Sequence, residues 1–394
     1  MLVRGGGPVR ALGTRHSFTD LPDTTGTLVS IAGIEDPPVL DETARTVDVP
    51  AGIRYGELAQ WLHRRGWALH NLGSLPHISV AGALATGTHG SGDSNGILAA
   101  AARRIDYVSA TGDIETVDAT HPEFDGMVVG LGAYGVVVRV TLAVQPSFRV
   151  RQDVYSGLRW DAALDQLDVI TRSGYSVSLF TGWTGDDFGT VWVKTRLEAD
   201  DDPVVEQLAG AHRIGARTPV GSNLTPQGGV PGDWHERLPH FRLDATPSHG
   251  DEIQSEYFVD PAYAAPALRA VRELADRIAP VLLITELRTA APDSLWLSGA
   301  YERPLFGIAF TWRNDPAGVR ALLPDVERVL ADFSARPHWG KLHTLDRAAL
   351  GHVVPRLSDA RALFERLDPT GTFTNTHVER IGIREPRDVS GGRL

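Results

Sequence analysis

The chain has 394 residues, 42% of them hydrophobic, which is enough apolar material for the cores of two domains of ordinary size. A formal net charge of −11 without any Lys/Arg block argues against a nucleic-acid partner, and no run of 18 apolar residues is present that would predict a membrane span. The absence of cysteine excludes disulfides, thiolate nucleophiles, iron–sulfur clusters and cysteine-based zinc sites. The N-terminus does not resemble a signal peptide, so we expect a cytoplasmic protein.

The first 146 residues are predicted to form short β-strands separated by glycine-rich turns, with one helix. The helix is predicted over residues 55–65, because apolar side chains recur on one face and Gly66 follows as a stop. The predicted strands of this part cover residues 9–12, 27–31, 46–49, 104–110 and 136–142.

Residues 147–340 show a different pattern, in which strands alternate with two helices. The strands are predicted at 176–180, 190–194, 252–258, 281–288 and 305–312, and the helices at 266–278 and 317–333. Residues 200–246 are rich in Pro, Gly and Asp, which predicts a long ordered loop with a short helix. The tail, 341–394, is predicted to be helical over residues 347–367 and to close with the segment 368–375.

One motif in the first part imitates a nucleotide-binding fingerprint. Residues 130–135 match G-x-G-x-x-G, but the Rossmann fold needs a helix N-terminus after this motif. The residues that follow form a β-rich run, so we reject that interpretation. The chain contains no P-loop, no H-E-x-x-H and no G-x-S-x-G, so its motifs predict neither a metal site nor a serine-hydrolase site.

Three glycine-rich segments of the first part are candidates for one ligand cradle. They cover residues 12–18, 71–92 and 130–135. Backbone N–H groups in such loops can bind a pyrophosphate without any lysine. Taken singly, each segment is better explained as an ordinary turn in a β-rich domain.

Together and in this order, the segments resemble the FAD domain of the vanillyl-alcohol-oxidase, or PCMH-type, flavoproteins, and most closely the alditol (xylitol) oxidases. The resemblance runs through nearly the whole chain, in the motifs A-L-G-T-R-H-S-F (11–18), S-L-P-H-I-S-V-A-G (74–82), A-T-G-T-H-G-S-G (85–92), W-H-E-R-L-P-H-F-R (234–242), Q-S-E-Y (254–257), E-L-R-T (286–289), F-T-W (310–312) and R-P-H-W-G-K (336–341). It implies an α+β fold of two domains.

The resemblance also implies the domain boundaries. A discontinuous FAD-binding domain would comprise residues 1–146 and the C-terminal segment 341–394, and an antiparallel-sheet substrate-binding (cap) domain would comprise 147–340. Relatives have a further strand and helix before the segment that opens this chain, so we expect part of the FAD domain to be missing at the N-terminus. A missing part would affect the affinity for FAD and the stability of the protein more than the assignment to the family.

FAD is the cofactor that the resemblance implies, covalently bound through its 8α-methyl to His16. From the sequence alone, the favoured interpretation of His16 is a loop histidine that hydrogen-bonds a neighbour; a second, cysteinyl link is excluded because cysteine is absent. The implied cofactor-binding residues are Gly13, Thr14, Arg15, His16, Ser17, Gly73, Ser74, Ser79, Gly82, Thr86, Gly87, Thr88, His89, Gly90, Gly132, Gly135, Val137 and Asn375.

Alternation along the predicted strands places Glu286 with Arg288 on one face, and Ala309 with Thr311 on another strand's small or polar face. Such a face suits a pocket wall, but a half-exposed sheet with surface ion pairs has the same pattern. The resemblance favours the pocket and implies these substrate-binding residues: Ser74, Gln254, Glu256, Glu286, Arg288, Thr311 and Lys341.

The implied reaction is oxidation of the C1 primary alcohol of xylitol, sorbitol or a similar polyol to the aldose, with O2 reduced to hydrogen peroxide. Arg288 is expected to stabilise negative charge on the substrate oxygen and Lys341 to accept the proton, while Glu286 orients the arginine or holds a distal hydroxyl. Gly73 is expected to leave O2 access to the flavin open, or else to be glycine because its turn needs a positive φ.

Two alternatives stay open. The first is an aldonolactone oxidase or dehydrogenase of the same superfamily. The second is a flavin-binding protein without turnover, which Ala309 supports because polyol oxidases carry a substrate-contacting histidine there. The expected partners are a small polyol and O2, in a monomer or small homo-oligomer.

Overall fold

The computed structural model describes residues 3–199, 202–215, 218, 222–246 and 250–386. Within the described residues, the N-terminal part contains nine strands and three α-helices. The strands are β1 (Val9–Leu12), β2 (Thr27–Ser30), β3 (Val39–Asp41), β4 (Thr46–Pro50), β5 (Trp67–Ala68), β6 (Ala102–Val108), β7 (Ile114–Asp118), β8 (Val136–Ala143) and β9 (Gln145–Pro146), and the helices are α1 (Tyr55–His63), α2 (Val80–Ala85) and α3 (Phe124–Val128).

These strands form one larger sheet and two pairs. The sheet has the order β3-β4-β8-β6-β7, with antiparallel neighbours throughout; β1 pairs with β2 in parallel and β5 pairs with β9. Helix α1 buries Tyr55, Leu58 and Leu62 as its periodicity predicts, and Gly66 at φ +80° follows it. Helices α2 and α3 were not predicted, because helices of six and five residues are too short to show a period.

The next part of the chain is built on a large antiparallel sheet. Its strands are β10 (Arg149–Arg159), β11 (Ser176–Thr181), β12 (Asp187–Leu197), β13 (Gln207–Leu208), β14 (Ala211–Ile214), β15 (Gly232–Asp233), β16 (Glu252–Val259), β17 (Leu282–Ala290), β18 (Leu305–Arg313) and β19 (Arg336–Pro337). In the described chain their order is β13-β14-β10-β12-β11-β17-β18-β16-β19, with β15 paired to β10. The helices are α4 (Trp160–Asp165), α5 (Leu167–Thr171), α6 (Trp234–Arg237), α7 (Ala264–Arg272), α8 (Ala275–Ile278) and α9 (Pro316–Ala331).

Three predictions for this part need correction. Strand β10 was missed, although it is eleven residues long, because seven of its residues are buried, six of them consecutive, and its sequence does not alternate. The predicted helix 266–278 is two helices, α7 and α8. The predicted loop 200–246, part of which lies outside the described residues, contains β13, β14 and β15, which were not predicted, and α6, which confirms its predicted short helix. Helix α9 was predicted to within two residues; Asp315 caps it by accepting a hydrogen bond from Gly318 N at 3.0 Å.

The C-terminal segment forms α10 (Arg347–Val353), α11 (Leu357–Leu367) and α12 (Thr376–Arg380). Short 3₁₀ turns lie earlier in the chain, at Val3–Gly5, Leu98–Ala101 and Pro261–Tyr263. The segment returns to the first strand of the chain. Val9 N donates to Thr372 O at 2.7 Å, and the buried Arg10 guanidinium donates to Phe373 O at 2.8 Å. The last residues of the predicted 341–394 segment, from 387 onward, lie outside the described part.

The buried apolar side chains fall into two clusters. One is formed by the N-terminal sheet together with α1, α10, α11 and α12. The other lies under the large sheet and is covered mainly by α4, α7 and α9. The assignment of both chain ends to one FAD domain and the boundaries at 146 and 340 stay predictions. None of the described helices is both long and apolar enough to cross a membrane.

Candidate active site

A cavity of about 950 Å³ lies between the glycine-rich loops of the N-terminal part and the polar face of the large sheet. Its size is at the upper end for small-molecule sites, which suits a large ligand or a cofactor with its substrate. The cavity is lined on one side by the loops after β1 and before α2, and on the other by β16, β17 and β18. All seven residues predicted to bind substrate, with Ser74 on the loop side, line this cavity.

The loop side lets a ligand come close to the backbone. A Cβ on Gly13 or Gly82 would lie 2.7 or 2.8 Å from the Oγ atom of Ser79, so a side chain at either position would force the serine hydroxyl to turn away. That Oγ atom is buried and has no hydrogen-bond partner among the described residues. An orphaned buried hydroxyl beside two glycines fits a polar group of a bound ligand, as the FAD pyrophosphate would supply.

The loop 130–135 forms a further part of this wall. Gly132 has φ +62°, a left-handed conformation, and the buried Arg10 holds the loop by donating to the carbonyls of Leu131 and Gly132, both at 2.8 Å. Burial, and secondarily the charge of Arg384, lowers the pKa of Arg10 to about 10. Strand β8 follows the loop at once, so the rejection of the Rossmann interpretation is confirmed.

Most of the predicted cofactor-binding residues line the cavity, and three do not. Gly87 forms the left-handed turn after α2, at φ +66°. Gly90 packs behind the wall, where a Cβ would lie 2.5 Å from Asn71 and from the Leu72 carbonyl. Asn375 caps α12 and donates to the carbonyls of Asp20, Leu21 and Asp23. Its side chain therefore joins the C-terminal segment to the loop before β2. Their positions are structural. The cavity-lining residues are Gly13, Thr14, Arg15, His16, Ser17, Gly73, Ser74, Ser79, Gly82, Thr86, Thr88, His89, Gly132, Gly135 and Val137.

His16 lies on the loop after β1 and lines the cavity. The same loop touches the segment that carries Lys341, because Phe18 N donates to Gly340 O at 2.8 Å. Desolvation, followed by the nearby charges of His77 and Arg54, lowers the pKa of His16 below its ordinary value. The ring is therefore a neutral imidazole at neutral pH, the form whose nitrogen lone pair is nucleophilic.

Strand β18 sets the spacing of the polar face. Its Ala309 pairs with Glu256 on β16 and with Glu286 on β17, so one small residue separates two carboxylates. Two residues further along β18, Thr311 pairs with Gln254; two residues before Ala309, Gly307 pairs with Arg288. The small and polar positions of β18 thus face the cavity together with the acidic and basic positions of its neighbours.

Glu256 is the centre of the first charged cluster. Its carboxylate is buried, 2.6 Å from Lys341 Nζ, 2.9 Å from His89 Nε2 and 3.6 Å from Arg288 Nη2. Burial alone would raise the pKa of Glu256, but these cations and the hydrogen bond from His89 hold it well below its usual range. His89 was predicted to bind the cofactor; its ring lines the cavity and bridges Glu256 and the Gly90 carbonyl, which lies 2.8 Å from Nδ1.

The second cluster surrounds Glu286. Arg288 Nε lies 3.5 Å from its carboxylate, and Arg288 Nη1 donates to Ser74 Oγ at 3.1 Å. His240 Nε2 lies 2.6 Å from the same carboxylate. Burial would raise the pKa of Glu286, but Arg288 and His240 hold it far below its ordinary value.

His240 and Lys194 are parts of this cluster that the sequence interpretation missed. His240 lines the cavity, and its Nδ1 lies 3.0 Å from Nζ of the fully buried Lys194, which also donates to the Leu238 carbonyl. Desolvation lowers the pKa of Lys194 to about 7, and desolvation together with Lys194 lowers that of His240 to about 4. His240 belongs to the quoted motif at 234–242, which was the available signal. The sequence contained no comparable signal for Lys194, which is simply a lysine within a strand.

Lys341 Nζ lies 2.6 Å from the Glu256 carboxylate, and its role in the reaction stays a prediction. A third residue that the sequence interpretation missed, His338, also lines the cavity. Burial lowers the pKa of His338 to about 3, and its Nδ1 accepts from Gly340 N at 3.0 Å, so Nε2 carries the ring proton.

Gly73 lines the cavity, and one explanation offered for it is wrong. Its φ is not in the left-handed region, so its turn does not require glycine. A Cβ there would make ordinary contacts, the nearest with Ile78 at 3.6 Å. The absence of a side chain at Gly73 therefore leaves open space in the cavity without a backbone reason.

Comparison with known proteins agrees with this geometry. Residues 3–118 match the family described as FAD binding domain, and residues 249–381 match the family described as D-arabinono-1,4-lactone oxidase. The chain is 45% identical to the alditol oxidase of Streptomyces sp. (strain IKD472 / FERM P-14339), over 93% of this chain and 88% of that relative. It is 29% identical to L-gulono-1,4-lactone dehydrogenase of Mycobacterium tuberculosis, over 96% and 91%. Cholesterol oxidase from Brevibacterium sterolicum shares the fold, with a TM-score of 0.75 and 14% identity over 95% of this chain and 89% of that chain.

Proposed function

The chain belongs to the alditol oxidase family of FAD-dependent oxidoreductases, and on this basis we propose that it oxidises the C1 primary alcohol of an alditol such as xylitol or sorbitol. The reaction balances as R–CH2OH + O2 → R–CHO + H2O2. Bound FAD supplies the two-electron acceptor and passes the electrons to O2. The observation that carries the proposal is the polar sheet face with paired carboxylates and cations, which lines the same cavity as the glycine loops.

The loop side of the cavity would hold the FAD. Gly13, Gly82 and Gly132 let the backbone approach the cofactor, and Ser79 Oγ supplies a hydroxyl that the protein leaves unpartnered. We infer that His16 is the point of covalent attachment, because it lines this cavity and burial keeps its ring neutral. Covalent attachment would hold the cofactor even where individual contacts are weak.

The cations of the sheet face would stabilise the reacting oxygen. Oxidation removes a hydride from the carbon and a proton from the oxygen; the proton leaves to solvent, and negative charge develops on that oxygen as it departs. Arg288 and Lys341 bring two positive charges to the cavity, and both are held by carboxylates, so the charge is fixed in place before the substrate arrives. Ser74 accepts a hydrogen bond from Arg288 and thereby sets the direction of the guanidinium.

The remaining polar groups would select a polyol. Gln254, Glu286 and Thr311 offer donors and acceptors along one wall, and each paired hydroxyl discriminates against analogues that lack it. Ala309, between Glu256 and Glu286, contributes no hydrogen bond, so the pocket is larger at that point. We therefore propose a substrate preference that differs from that of enzymes with a histidine there.

Lys194 and His240 would act as positioning residues. His240 donates from Nε2 to Glu286 and accepts at Nδ1 from Lys194. These contacts hold the Glu286 carboxylate in place beside Arg288. A buried carboxylate with satisfied partners keeps its charge and orientation when substrate displaces water.

A substrate screen tests the proposal against its alternatives. The purified yellow protein is mixed without air with xylitol, sorbitol, other polyols, sugars, L-gulono-1,4-lactone and D-arabinono-1,4-lactone, and flavin bleaching is followed in a stopped-flow instrument. We expect rapid bleaching by a polyol and, with air, one hydrogen peroxide per aldose formed. Bleaching by lactones alone would identify a lactone oxidase or dehydrogenase, and no bleaching at all would favour a flavin-binding protein without turnover. A monomer or small homo-oligomer in the cytoplasm remains our proposal for its state and location.

A further inference from the structure

Two histidines and an aspartate form a cluster well away from the polar sheet face. They are His63, the last residue of α1, Asp233, the last residue of β15, and His235 in α6. One ligand atom from each lies within 4.8 Å of the other two. His63 Nε2 lies 3.1 Å from Asp233 Oδ2, and the two imidazole rings are 4.6 Å apart between centroids.

We propose that His63, Asp233 and His235 form a binding site for one divalent transition-metal ion, with Zn²⁺ as the ion best suited to it. Two imidazoles and one carboxylate are an established ligand set for Zn²⁺, with water in the fourth position. Tetrahedral coordination at Zn–N and Zn–O distances of about 2.0–2.2 Å places ligand atoms ~3.3 Å apart. The His63–Asp233 separation of 3.1 Å already fits, and the other separations, all within 4.8 Å, would have to shorten by at most ~1.5 Å, within reach of side-chain rotation.

The surroundings of the three side chains fit ligands. His63 directs Nε2 to the aspartate while its Nδ1 lies 3.3 Å from Ser147 Oγ, the second hydrogen bond that orients a metal-bound imidazole. His235 Nδ1 is buried and has no hydrogen-bond partner among the described residues, so this nitrogen is available as a ligand. Asp233 precedes α6 without capping it, so its carboxylate is not used by the helix.

The exposure of the cluster leaves a path for the ion. The side chains of His63 and Asp233 are 30% and 36% exposed, so an ion can enter from solvent and keep a water ligand. The ligands come from α1 of the N-terminal part and from the β15–α6 segment of the large sheet. A bound ion would therefore cross-link the two parts of the fold, and it should raise thermal stability by mass action. No short sequence motif predicts such a site, because His63 lies about 170 residues before the other two ligands.

Zinc titration of the tag-free, FAD-loaded protein tests this site. The protein is treated with EDTA, dialysed, and titrated with ZnCl2 by calorimetry, with metal content measured by mass spectrometry. We expect one Zn²⁺ per chain and a rise in Tm with zinc. His63→Ala, His235→Ala and the conservative Asp233→Asn should each weaken binding at least tenfold and abolish the rise in Tm. Ser147→Ala should weaken binding by a smaller factor.

His212→Ala is the matched control, because His212 is an exposed histidine on β14 outside the cluster. This variant should bind zinc as the unchanged protein does. If the unchanged protein binds no stoichiometric zinc, or if the three ligand variants bind it equally well, the cluster is only a hydrogen-bonded contact between His63 and Asp233 and the proposal is wrong. The flavin-reduction rate with polyols is a separate readout, so this result does not depend on the proposed enzymatic function.

Discussion

Lys194 Nζ lies 3.0 Å from Nδ1 of His240, and the opposite nitrogen of the same ring lies 2.6 Å from Glu286. Lys194 is 1% exposed, and the cost of burying its charge lowers its pKa to about 7. The imidazole has its pKa lowered to about 4 and is neutral at neutral pH. A lysine that titrates near neutrality thus lies one side chain behind the wall of the cavity.

Substitution of this lysine should change how stability depends on pH. Lys194 has an ordinary pKa of 10.5 when unfolded and about 7 when folded, so between these values the unfolded state binds more protons. Stability of the unchanged protein therefore gains from this group as pH rises above 7, by up to ~1 kcal/mol per pH unit, and the burial penalty is fully present below pH 7. Lys194→Met should lack this gain. Urea unfolding from pH 7 to pH 9 measures it; equal slopes for the two proteins would contradict the assignment.

Arg288 and Lys341 should matter most in the transition state. Removal of either charge by alanine should slow anaerobic flavin reduction by about a hundredfold or more, because each loses an interaction with the developing oxyanion. Stopped-flow flavin absorbance over a range of polyol concentrations separates the rate from binding. Arg313→Ala is the control, since Arg313 ends the same strand β18 and is exposed. Near-normal limiting rates in both site variants would remove the two cations from the mechanism.

The covalent flavin can be tested by denaturation alone. Acid precipitation of the unchanged protein should leave yellow flavin in the pellet, because a bond through His16 survives unfolding. His16→Ala should release the flavin into the supernatant. His77→Ala, which removes the histidine whose charge acts on His16, should keep the flavin bound in the pellet. Flavin that washes out of the unchanged protein would show that the linkage does not form.

Ala309 should control which polyol is preferred. A histidine at this position would lie between the strand neighbours Glu256 and Glu286 and add a hydrogen-bonding group to the pocket wall. We expect Ala309→His to raise kcat/KM for xylitol or sorbitol relative to other polyols, by roughly tenfold for one well-placed hydrogen bond. Ala309→Leu fills similar space without ring nitrogens and should lower activity on all of them. An identical ranking of polyols in all three proteins would mean that the position does not contact substrate.

Gly73 should control access of oxygen. A methyl group fits there without backbone strain, since φ is not left-handed and the nearest contact is 3.6 Å, so Gly73→Ala should fold normally. We expect reduction by substrate to stay near the normal rate while reoxidation by O2 slows by about tenfold or more, with artificial dyes still accepted. Stopped-flow reoxidation of the reduced variant is the measurement. A reoxidation rate equal to that of the unchanged protein would leave the open space at Gly73 without a role in oxygen access.

The sequence by itself determined the family, the FAD cofactor and most of the regular elements. Motifs such as A-L-G-T-R-H-S-F indicate the family through the order of neighbouring residues. The alternation in β16, β17 and β18 likewise predicts which side chains share a face. Those periods are properties of neighbouring residues, so they can be recognised without the fold.

The tertiary structure decided how those side chains are paired. Register across β18 set Ala309 between two carboxylates, burial brought Lys194 against His240, and the packing of α1 beside α6 joined His63 to Asp233 and His235. The same packing showed that Gly90 and Asn375 support the fold rather than line the cavity. Hydrogen-bond partners and desolvation depend on distances between segments far apart in the chain, and no local pattern encodes those distances.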